Sequence, residues 1–352
     1  MDFHRFSKPP TLITSLPDEL IIDIIARVPI SNYPTISLVS RRFRSTIASP
    51  ELYRRRSLLQ CTEHCLYALL YNSQTRDYRW YIRRRNGFVL IPSLPPMPAH
   101  GSFVSVGSKI YVLGGVYSSG VTSTVLTIDC TTHTMQHISN IPKLMGDTVA
   151  GIIDGKIYVI GLSELSKDKN SKGIMVFNTK TGIWEPEMIK LGFEIGRLWP
   201  GCVVMEGKIY MRDVENSFVY EPREDKWERE EMLNSKKWEY ACVVDDILYY
   251  YDVFKKILRA YDIKHKCWRE VEGVGRLLPE PSRALWSYTV SYGGKLAVFL
   301  PKEIHKKNTT EIWCAEIALE RRQGGGILGN VEWGGVVIDG DFFYVRCLSV
   351  LV

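Results

Sequence analysis

One short pattern, repeated along the last three hundred residues, constrains the fold of this chain more than any other feature. In each copy an apolar stretch leads into a turn rich in glycine and aspartate, and a second apolar stretch follows. The Ile or Leu near the start of the second stretch recurs at Ile110, Ile157, Ile209, Leu248 and Leu296, in steps of 47, 52, 39 and 48 residues. Each copy predicts a β-hairpin. Repetition at about this period is typical of propellers and solenoids.

A second pattern follows each of the first four copies. An apolar or aromatic residue precedes an acid or amide, and six residues after the acid or amide stands a tryptophan. The three complete examples are Phe177-Asn178 with Trp184, Tyr220-Glu221 with Trp227 and Tyr261-Asp262 with Trp268, while Ile128-Asp129 leads to Met135. Asn and Asp open turns by hydrogen-bonding their own backbone, so the pattern predicts a second hairpin. Two hairpins make four antiparallel strands, which is the composition of a propeller blade.

The repeating unit resembles a kelch repeat, which is marked by a glycine pair after the second strand and a Tyr…Trp pair further on. Gly114-Gly115 follows Tyr111-Val112-Leu113 and matches, whereas the second copy keeps only Gly161 and later copies have lost the pair. The resemblance implies a kelch-type β-propeller built from degenerate repeats.

The two ends of the repeat region predict one further blade. Residues 66–71, Asn72 and Trp80 repeat the second hairpin without a first, and residues 336–345 repeat the first hairpin without a second. Joining them closes the ring and removes exposed sheet edges. We therefore predict a mainly β protein with a six-bladed propeller over residues 62–352, closed by residues 62–85 with 331–350.

The first sixty residues predict a small helical domain instead. Pro17 suits a helix start, Asp18 and Glu19 follow in the first turn, and Pro29 ends the helix. Its apolar residues form one wide face: Leu20, Ile21, Ile24, Ile25 and Val28. A second helix is predicted from Pro34, carrying Leu38, Val39, Phe43 and Ile47, and a third from Pro50. Three short helices cannot bury this apolar surface alone, so the unit needs a partner or a neighbouring domain.

These residues resemble the F-box, and we place an all-α F-box domain at residues 10–58. The matching residues are Leu16-Pro17-Asp18-Glu19-Leu20, Ile24, Val28-Pro29, Leu38-Val39-Ser40-Arg41-Arg42-Phe43-Arg44, Ile47 and Pro50-Glu51-Leu52-Tyr53. Many F-boxes have Trp where Tyr53 stands.

The resemblance implies docking onto a Skp-type adaptor, which links to a cullin and a RING subunit. By resemblance the adaptor contacts are Leu16, Pro17, Leu20, Ile24 and Val28. The alternative is that these residues form only the internal core of the domain.

Together the two halves resemble the large F-box/kelch-repeat family of plants. The resemblance implies a substrate-recognition subunit of an SCF-type (Skp–cullin–F-box) ubiquitin-protein ligase, in which the propeller binds a target protein. Two alternatives remain: a kelch scaffold or sensor without a ligase role, and a propeller oxidoreductase.

A recurring tryptophan predicts where the target binds. Trp199, Trp238 and Trp286 each stand ten positions before a repeat Ile or Leu, and Arg197 and Arg283 lie just before two of them. Trp and Arg are enriched where proteins bind partners. Loops entering the first strand of a blade share a rim with loops between its second and third strands, so we expect these five residues on one rim. The alternative is that each Trp packs against the neighbouring blade.

Charge and cysteine content limit the partners and the cellular compartment that we expect for this chain. The net charge of +6 is concentrated in the first hundred residues, but no nucleic-acid motif accompanies the arginines, so we expect solvated faces beside an acidic partner. No signal-like segment and no apolar run of about 18 residues occurs, so we expect no membrane partner, and reduced thiols in the cytoplasm or nucleus. Cys61, His64 and Cys65 form a tight cluster, but no second pair completes a zinc site. We expect no metal and no cofactor.

Catalysis by the chain itself is not expected. A copper-radical oxidase would need two His ligands near the propeller axis, and the seven histidines show no such pair on an inner strand. No phosphate-binding loop or nucleophile elbow appears. Cys202 and Cys242 occupy equivalent repeat positions ahead of paired valines, which is typical of a small buried residue in an inner strand.

Overall fold

The computed structural model describes residues 16–85, 87–163, 172–186, 189–190, 201–275, 286–304, 309–340 and 342–352. The chain divides into two compact units. The first, the helical unit, contains the residues up to Glu63 together with Leu351 and Val352. The second, the β unit, extends from His64 to Val350.

From residue 16 onward, the helical unit contains four short α-helices and one 3-10 turn around a small core. The elements are α1 (Asp18–Ala26), the 3-10 turn Ile30–Asn32, α2 (Tyr33–Ile36), α3 (Arg41–Ile47) and α4 (Pro50–Leu58). Ile21, Ile25, Phe43 and Leu52 are buried and form the core. The predicted helix from Pro34 through Ile47 is wrong, because it is interrupted between α2 and α3. Ser40 causes the break: its Oγ accepts a hydrogen bond of 3.1 Å from the Phe43 N–H and caps a new helix.

An arginine lies inside this core. The Arg56 side chain is fully buried, and its Nη1 donates to the carbonyl oxygens of Ala26 and Val28, both at 2.8 Å. Its Nη2 donates to Glu63 Oε1 at 2.6 Å. The prediction that the arginines of this region lie on solvated faces is wrong for Arg56, because its guanidinium satisfies the carbonyls at the end of α1.

Over its described residues the β unit contains six antiparallel blades, five of four strands and one with a short fifth strand, which confirms the predicted fold class. Blade 1 contains β25 (Phe342–Leu351), β1 (His64–Asn72), β2 (Asp77–Arg84) and β3 (Gly87–Leu90), and blade 2 contains β4 (Ser102–Val106), β5 (Lys109–Tyr117), β6 (Gly120–Asp129) and β7 (Thr134–Asn140). Blade 3 contains β8 (Met145–Ile153), β9 (Lys156–Ser163), β10 (Lys172–Asn178) and β11 (Ile183–Trp184), with β12 (Ile189–Lys190) also paired to β10.

The remaining blades follow in chain order. Blade 4 contains β13 (Gly201–Met205), β14 (Lys208–Arg212), β15 (Ser217–Glu221) and β16 (Lys226–Arg229), and the short helix α5 (Glu231–Asn234) leads to blade 5. Blade 5 contains β17 (Cys242–Val244), β18 (Ile247–Asp252), β19 (Ile257–Asp262) and β20 (Cys267–Glu272). Blade 6 contains β21 (Tyr288–Tyr292), β22 (Lys295–Ile304), β23 (Thr309–Arg321) and β24 (Ile327–Gly340), and β24 also pairs in parallel with β20.

Blade 1 joins strands from the two ends of the β unit, but the two ends do not supply one hairpin each, as predicted. The C-terminal segment supplies a single strand, β25, and the other three strands come from residues 64–90. Residues 336–338 lie in β24 and belong to blade 6. They stay there because β23 and β24 form one long hairpin, paired from Arg321↔Ile327 to Thr310↔Gly340.

Hydrophobic clusters between neighbouring blades hold the β unit together. Separate clusters join blades 2 and 3, 3 and 4, 4 and 5, 5 and 6, and 6 and 1. Blades 1 and 2 meet where Trp80 packs edge-on against Phe103, with ring centroids 5.7 Å apart. Every neighbouring pair is therefore in contact, and the ring of blades is closed.

The repeated aromatic pattern corresponds to cross-strand pairs between the third and fourth strands. Tyr220 lies opposite Trp227 with ring centroids 4.5 Å apart, and the pairs Phe177–Trp184 and Tyr261–Trp268 are equivalent. In blade 1 the corresponding pair lies one strand earlier, between the second and third strands, where Tyr78 stands opposite Tyr71; Trp80, which the sequence had suggested, does not form it. Trp80 lies two residues further on, where it is buried between blades.

None of the helices in the described residues is both long enough and apolar enough to cross a membrane.

Candidate protein-interaction sites

The first helix presents apolar side chains in two directions. Ile21 and Ile25 are buried in the helical core, whereas the side chains of Leu20 and Ile24 are 49% and 39% exposed. Pro17 is exposed, and Leu16 and Val28 are half-buried. The amphipathic face predicted from the sequence is thus divided. One half completes the core of the unit, and Leu20 and Ile24 remain on its surface.

Two further exposed apolar residues were not among the predicted adaptor contacts. Leu38 and Val39, which the sequence placed on the apolar side of a helix, lie in the turn between α2 and α3 and are both exposed. Ser40 ahead of Arg41-Arg42-Phe43 is the signal that could have located this turn, since serine is a preferred helix cap. We call Leu20, Ile24, Leu38 and Val39 the exposed apolar set of the helical unit.

One rim of the propeller also carries exposed apolar residues. We define the upper rim as the linkers that enter the first strand of each blade together with the loops between second and third strands. Tyr117 ends β5, Val214 follows β14 and Phe254 follows β18, so all three lie on this rim in different blades. All three are exposed, and Phe254 is the most exposed, at 74%. Isolated exposed apolar residues are common, but three at equivalent loops form a recurring feature.

A cavity of about 320 Å³ lies on the upper rim between blades 5 and 6. Its lining comes from the linker 235–240, the end of β18 with its following loop, and the residues that precede β21. Hydrogen bonds join these segments to one another and to β21: Ser287 Oγ donates to the Tyr251 carbonyl oxygen at 2.9 Å, and Thr289 Oγ1 of β21 donates to that of Tyr240 at 2.8 Å. We call this space the rim cavity.

Comparison with known proteins agrees with both units. Residues 13–55 match the F-box domain, and residues 66–338 match the FKB95, Kelch-repeats domain. This chain belongs to the F-box/kelch-repeat family. F-box/kelch-repeat protein At4g38940 of Arabidopsis thaliana is 49% identical, over 98% of this chain and 96% of its own length. Two other F-box/kelch-repeat proteins of that plant, the putative At3g10510 and At4g39240, are each 37% identical over at least 90% of both chains.

The tryptophans predicted to bind the target have different environments in this F-box/kelch-repeat protein. Trp238 is fully buried in the cluster between blades 4 and 5, and its Nε1 donates to Ser217 Oγ at 3.0 Å. The packing alternative therefore describes Trp238, which cannot contact a target in this structure. Trp286 is half-buried and lines the rim cavity. Arg197, Trp199 and Arg283 lie outside the described residues.

The thiols of this F-box/kelch-repeat protein sit mostly in desolvated positions. Burial raises the pKa of Cys202 and of Cys242 to about 12, and it also raises the pKa of Cys130, Cys314 and Cys347. A thiol with so high a pKa is a poor nucleophile at neutral pH. Over the described ranges, no group of three or more His, Cys, Asp or Glu side chains is arranged to hold a metal ion.

Proposed function

We propose that this F-box/kelch-repeat protein is the non-catalytic substrate-recognition subunit of an SCF-type ubiquitin ligase. The helical unit docks a Skp-type adaptor, which links the protein to a cullin and a RING subunit. The propeller binds a target protein for ubiquitination. The family membership supports the adaptor role, and the raised pKa values argue against ubiquitin transfer through Cys130, Cys202, Cys242, Cys314 or Cys347.

The division of the α1 face is the observation that carries the proposal. Ile21 and Ile25 complete an internal core, so Leu20 and Ile24 are not needed to close it. A large apolar side chain contributes roughly 1.5–3 kcal/mol when it passes from water to a buried site. Covering Leu20 and Ile24 with an adaptor would therefore supply several kcal/mol of binding free energy. Leu38 and Val39 extend the apolar area that a partner can cover.

Co-purification tests the adaptor contact. The full chain is co-expressed with each of a panel of Skp-type adaptors and purified through a tag on the chain. We expect the double variant Leu20→Asp/Ile24→Asp to retain at least tenfold less adaptor than the wild type, because two charges would be buried without partners. The matched control is Ile183→Asp/Val89→Asp, which places the same charges on exposed apolar positions of the propeller.

Two results would contradict the proposal in different ways. Adaptor retention equal to that of the wild type in the double variant would mean that Leu20 and Ile24 are not contacts. A folded wild-type chain that retains no adaptor of the panel would favour a scaffold without a ligase role.

A further inference from the structure

We infer that the rim cavity receives an apolar or aromatic side chain from a target peptide that carries acidic residues beside it. This inference rests on the proposed function and deepens it, because it specifies the class of target segment that the propeller binds. It follows from the size, the walls, the charge and the rigidity of the cavity.

The size and walls of the cavity suit one large apolar side chain. Its volume of about 320 Å³ lies at the lower end of the range of roughly 300–1,000 Å³ for ligand pockets. Four aromatic residues, Tyr240, Tyr250, Tyr251 and Trp286, are among those that line it. Phe254 also lines the cavity, yet most of its side chain remains in contact with water. A bound peptide would cover the Phe254 ring.

The cavity carries an excess of positive charge. Lys236 and Lys237 come from the linker, and Lys255 comes from the loop after β18, so lysines contribute from two of the three segments. Within the described part of the chain, no carboxylate lies within ion-pairing distance of any of the three. Lys237 and Lys255 are exposed, so their charges can meet groups on a chain that passes over the cavity.

The two carboxylates in the lining do not offset this excess, because each faces an arginine. Asp252 Oδ2 accepts a hydrogen bond of 3.2 Å from Arg259 Nε, and Glu239 Oε1 lies 3.6 Å from Arg212 Nη1. The side chain of Arg212 is almost completely buried, and that of Arg259 is largely buried. Burial lowers the pKa of Arg212 from its usual value, but an arginine remains protonated at neutral pH. The three lysines are therefore the unbalanced charges.

The linker 235–240, which forms one wall of the rim cavity, is anchored on its buried side. The buried Trp238 stands in the middle of the linker and is fixed by its hydrogen bond to Ser217. The recurring tryptophan of the sequence thus acts at this position as a positioning residue for the wall, and not as a contact. A wall that is already ordered loses little entropy when a ligand binds, which favours affinity.

A peptide fits these features better than a nucleic acid does. The cavity is a concave space for one inserted side chain and is lined in part by aromatic residues, whereas single-stranded nucleic acids stack successive bases along a groove. The lysines stand on the rim loops, where they can pair with acidic groups that flank the inserted side chain. The acidic groups can be carboxylates or phosphates, and the experiment separates these two sources.

Selection from a random peptide library tests the inference, since such a selection requires no identified target. The full chain in complex with its adaptor is immobilised, and bound twelve-residue peptides are selected and sequenced. We expect enrichment of peptides with an aromatic or large apolar residue next to Asp or Glu. The enriched peptides are then synthesised with a fluorescent label, together with versions in which phosphoserine replaces the acids, and their dissociation constants are measured by anisotropy.

Charge reversal identifies the site of binding. We expect Lys236→Glu/Lys237→Glu/Lys255→Glu to weaken peptide binding at least tenfold, and Phe254→Ala to weaken it several-fold. The control Lys109→Glu/Lys180→Glu/Lys264→Glu changes the net charge equally at exposed positions away from the upper rim and should bind as the wild type does.

The inference would be overturned by an absence of acidic enrichment, by recovery of no binding peptide, or by equal binding to the cavity variant. Each of these results leaves adaptor co-purification unchanged. Failure of the inference is thereby distinguishable from failure of the proposed function, in which the adaptor itself does not bind. Preference for the phosphoserine or the carboxylate peptides decides which acidic source the site uses.

Discussion

Arg56 shows how a single buried charge can organise a small domain. Its guanidinium donates to two carbonyl oxygens near the end of α1, to the Tyr33 hydroxyl at 3.0 Å and to Glu63. Glu63 also accepts from the Ile30 N–H. One side chain of α4 therefore links α1, the 3-10 turn and α2, and its loss would leave several buried polar groups without partners.

Replacing Arg56 by Met should destabilise the helical unit by about 3 kcal/mol, since breaking a buried, hydrogen-bonded ion pair typically costs about 3–5 kcal/mol and Glu63 is partly solvated. Hydrogen exchange of α1 and α4 peptides in the full chain measures the effect. Arg54→Met is the control, because Arg54 forms only an exposed ion pair with Glu51. Equal exchange in the two variants would contradict the structural role of Arg56.

His133 is a second residue whose setting could not be read from the sequence. It stands in the turn before β7, and its Nε2 lies 3.0 Å from the Tyr67 hydroxyl of blade 1. Tyr67 donates its only hydroxyl proton to the Cys130 carbonyl oxygen, so the neutral imidazole donates from Nε2. Burial, and secondarily the charge of Arg84, lower the pKa of His133 to about 4.

This pKa makes the stability of the propeller depend on pH. Because the folded-state pKa lies below the ordinary value of about 6.5, the unfolded chain binds the proton first as pH falls, and stability is lost between about pH 6.5 and pH 4. From pH 7 to pH 5 we expect the wild type to lose about 1 to 2 kcal/mol more than His133→Asn. Asn tolerates the positive φ of 54° at this position.

Urea unfolding of both proteins at the two pH values provides the measurement, with the exposed His137→Asn as control. Identical pH dependence in the wild type and His133→Asn would disprove the assignment.

Among the secondary-structure elements, the turns between third and fourth strands follow the sequence closely. In blades 2, 3 and 5 an Asn or Asp side chain accepts a hydrogen bond from the backbone N–H two residues later, as predicted; the residues are Asp129, Asn178 and Asp262. Asn72 makes the same turn in blade 1, but between the second and third strands, β1 and β2. Four residues after each of these turn residues the backbone has a positive φ, at Arg76, His133, Gly182 and Lys266. Of these four positions only Gly182 is the residue that adopts this conformation without steric cost.

The turns therefore predict opposite effects for two substitutions. Arg76→Gly should stabilise the protein by several tenths of a kcal/mol, because it relieves the left-handed conformation at φ 56°. Gly182→Ala, at φ 72°, should destabilise it by about 1 kcal/mol. Urea midpoints of the full-length variants test both. A lower midpoint for Arg76→Gly would show that the arginine side chain contributes more than its backbone costs.

In the molecule as a whole, β25 closes the ring. Cys347 and Val350 of this strand are buried, and Cys347 belongs to the cluster between blades 6 and 1. Without β25 the strand β1 would lose its partner on one side, and an unpaired strand edge favours aggregation. Ring closure therefore couples the stability of all the blades to one strand.

Truncation before Phe342 should lower the melting temperature by about 10 °C or more, because several buried apolar side chains and a ladder of hydrogen bonds are lost. Differential scanning calorimetry of the full and truncated chains measures this. Leu351→Ser, at an exposed position of the same strand, should melt as the wild type does. A truncated chain that melts at the temperature of the full chain would show that β25 does not close the ring.

Local patterns along the chain were enough to predict the two kinds of architecture, a helical unit and a propeller. Hairpins, side-chain turns and aromatic pairs such as Tyr220–Trp227 join residues close in the chain, so they leave a periodic signal. The folded chain was needed to show which face of α1 is buried, which blade contains β24, and that the side chains of Arg56 and Trp238 are buried. Each of these outcomes depends on contacts between residues distant in sequence. Such contacts leave no periodic signal in a single chain, because burial is decided by whatever packs against a residue.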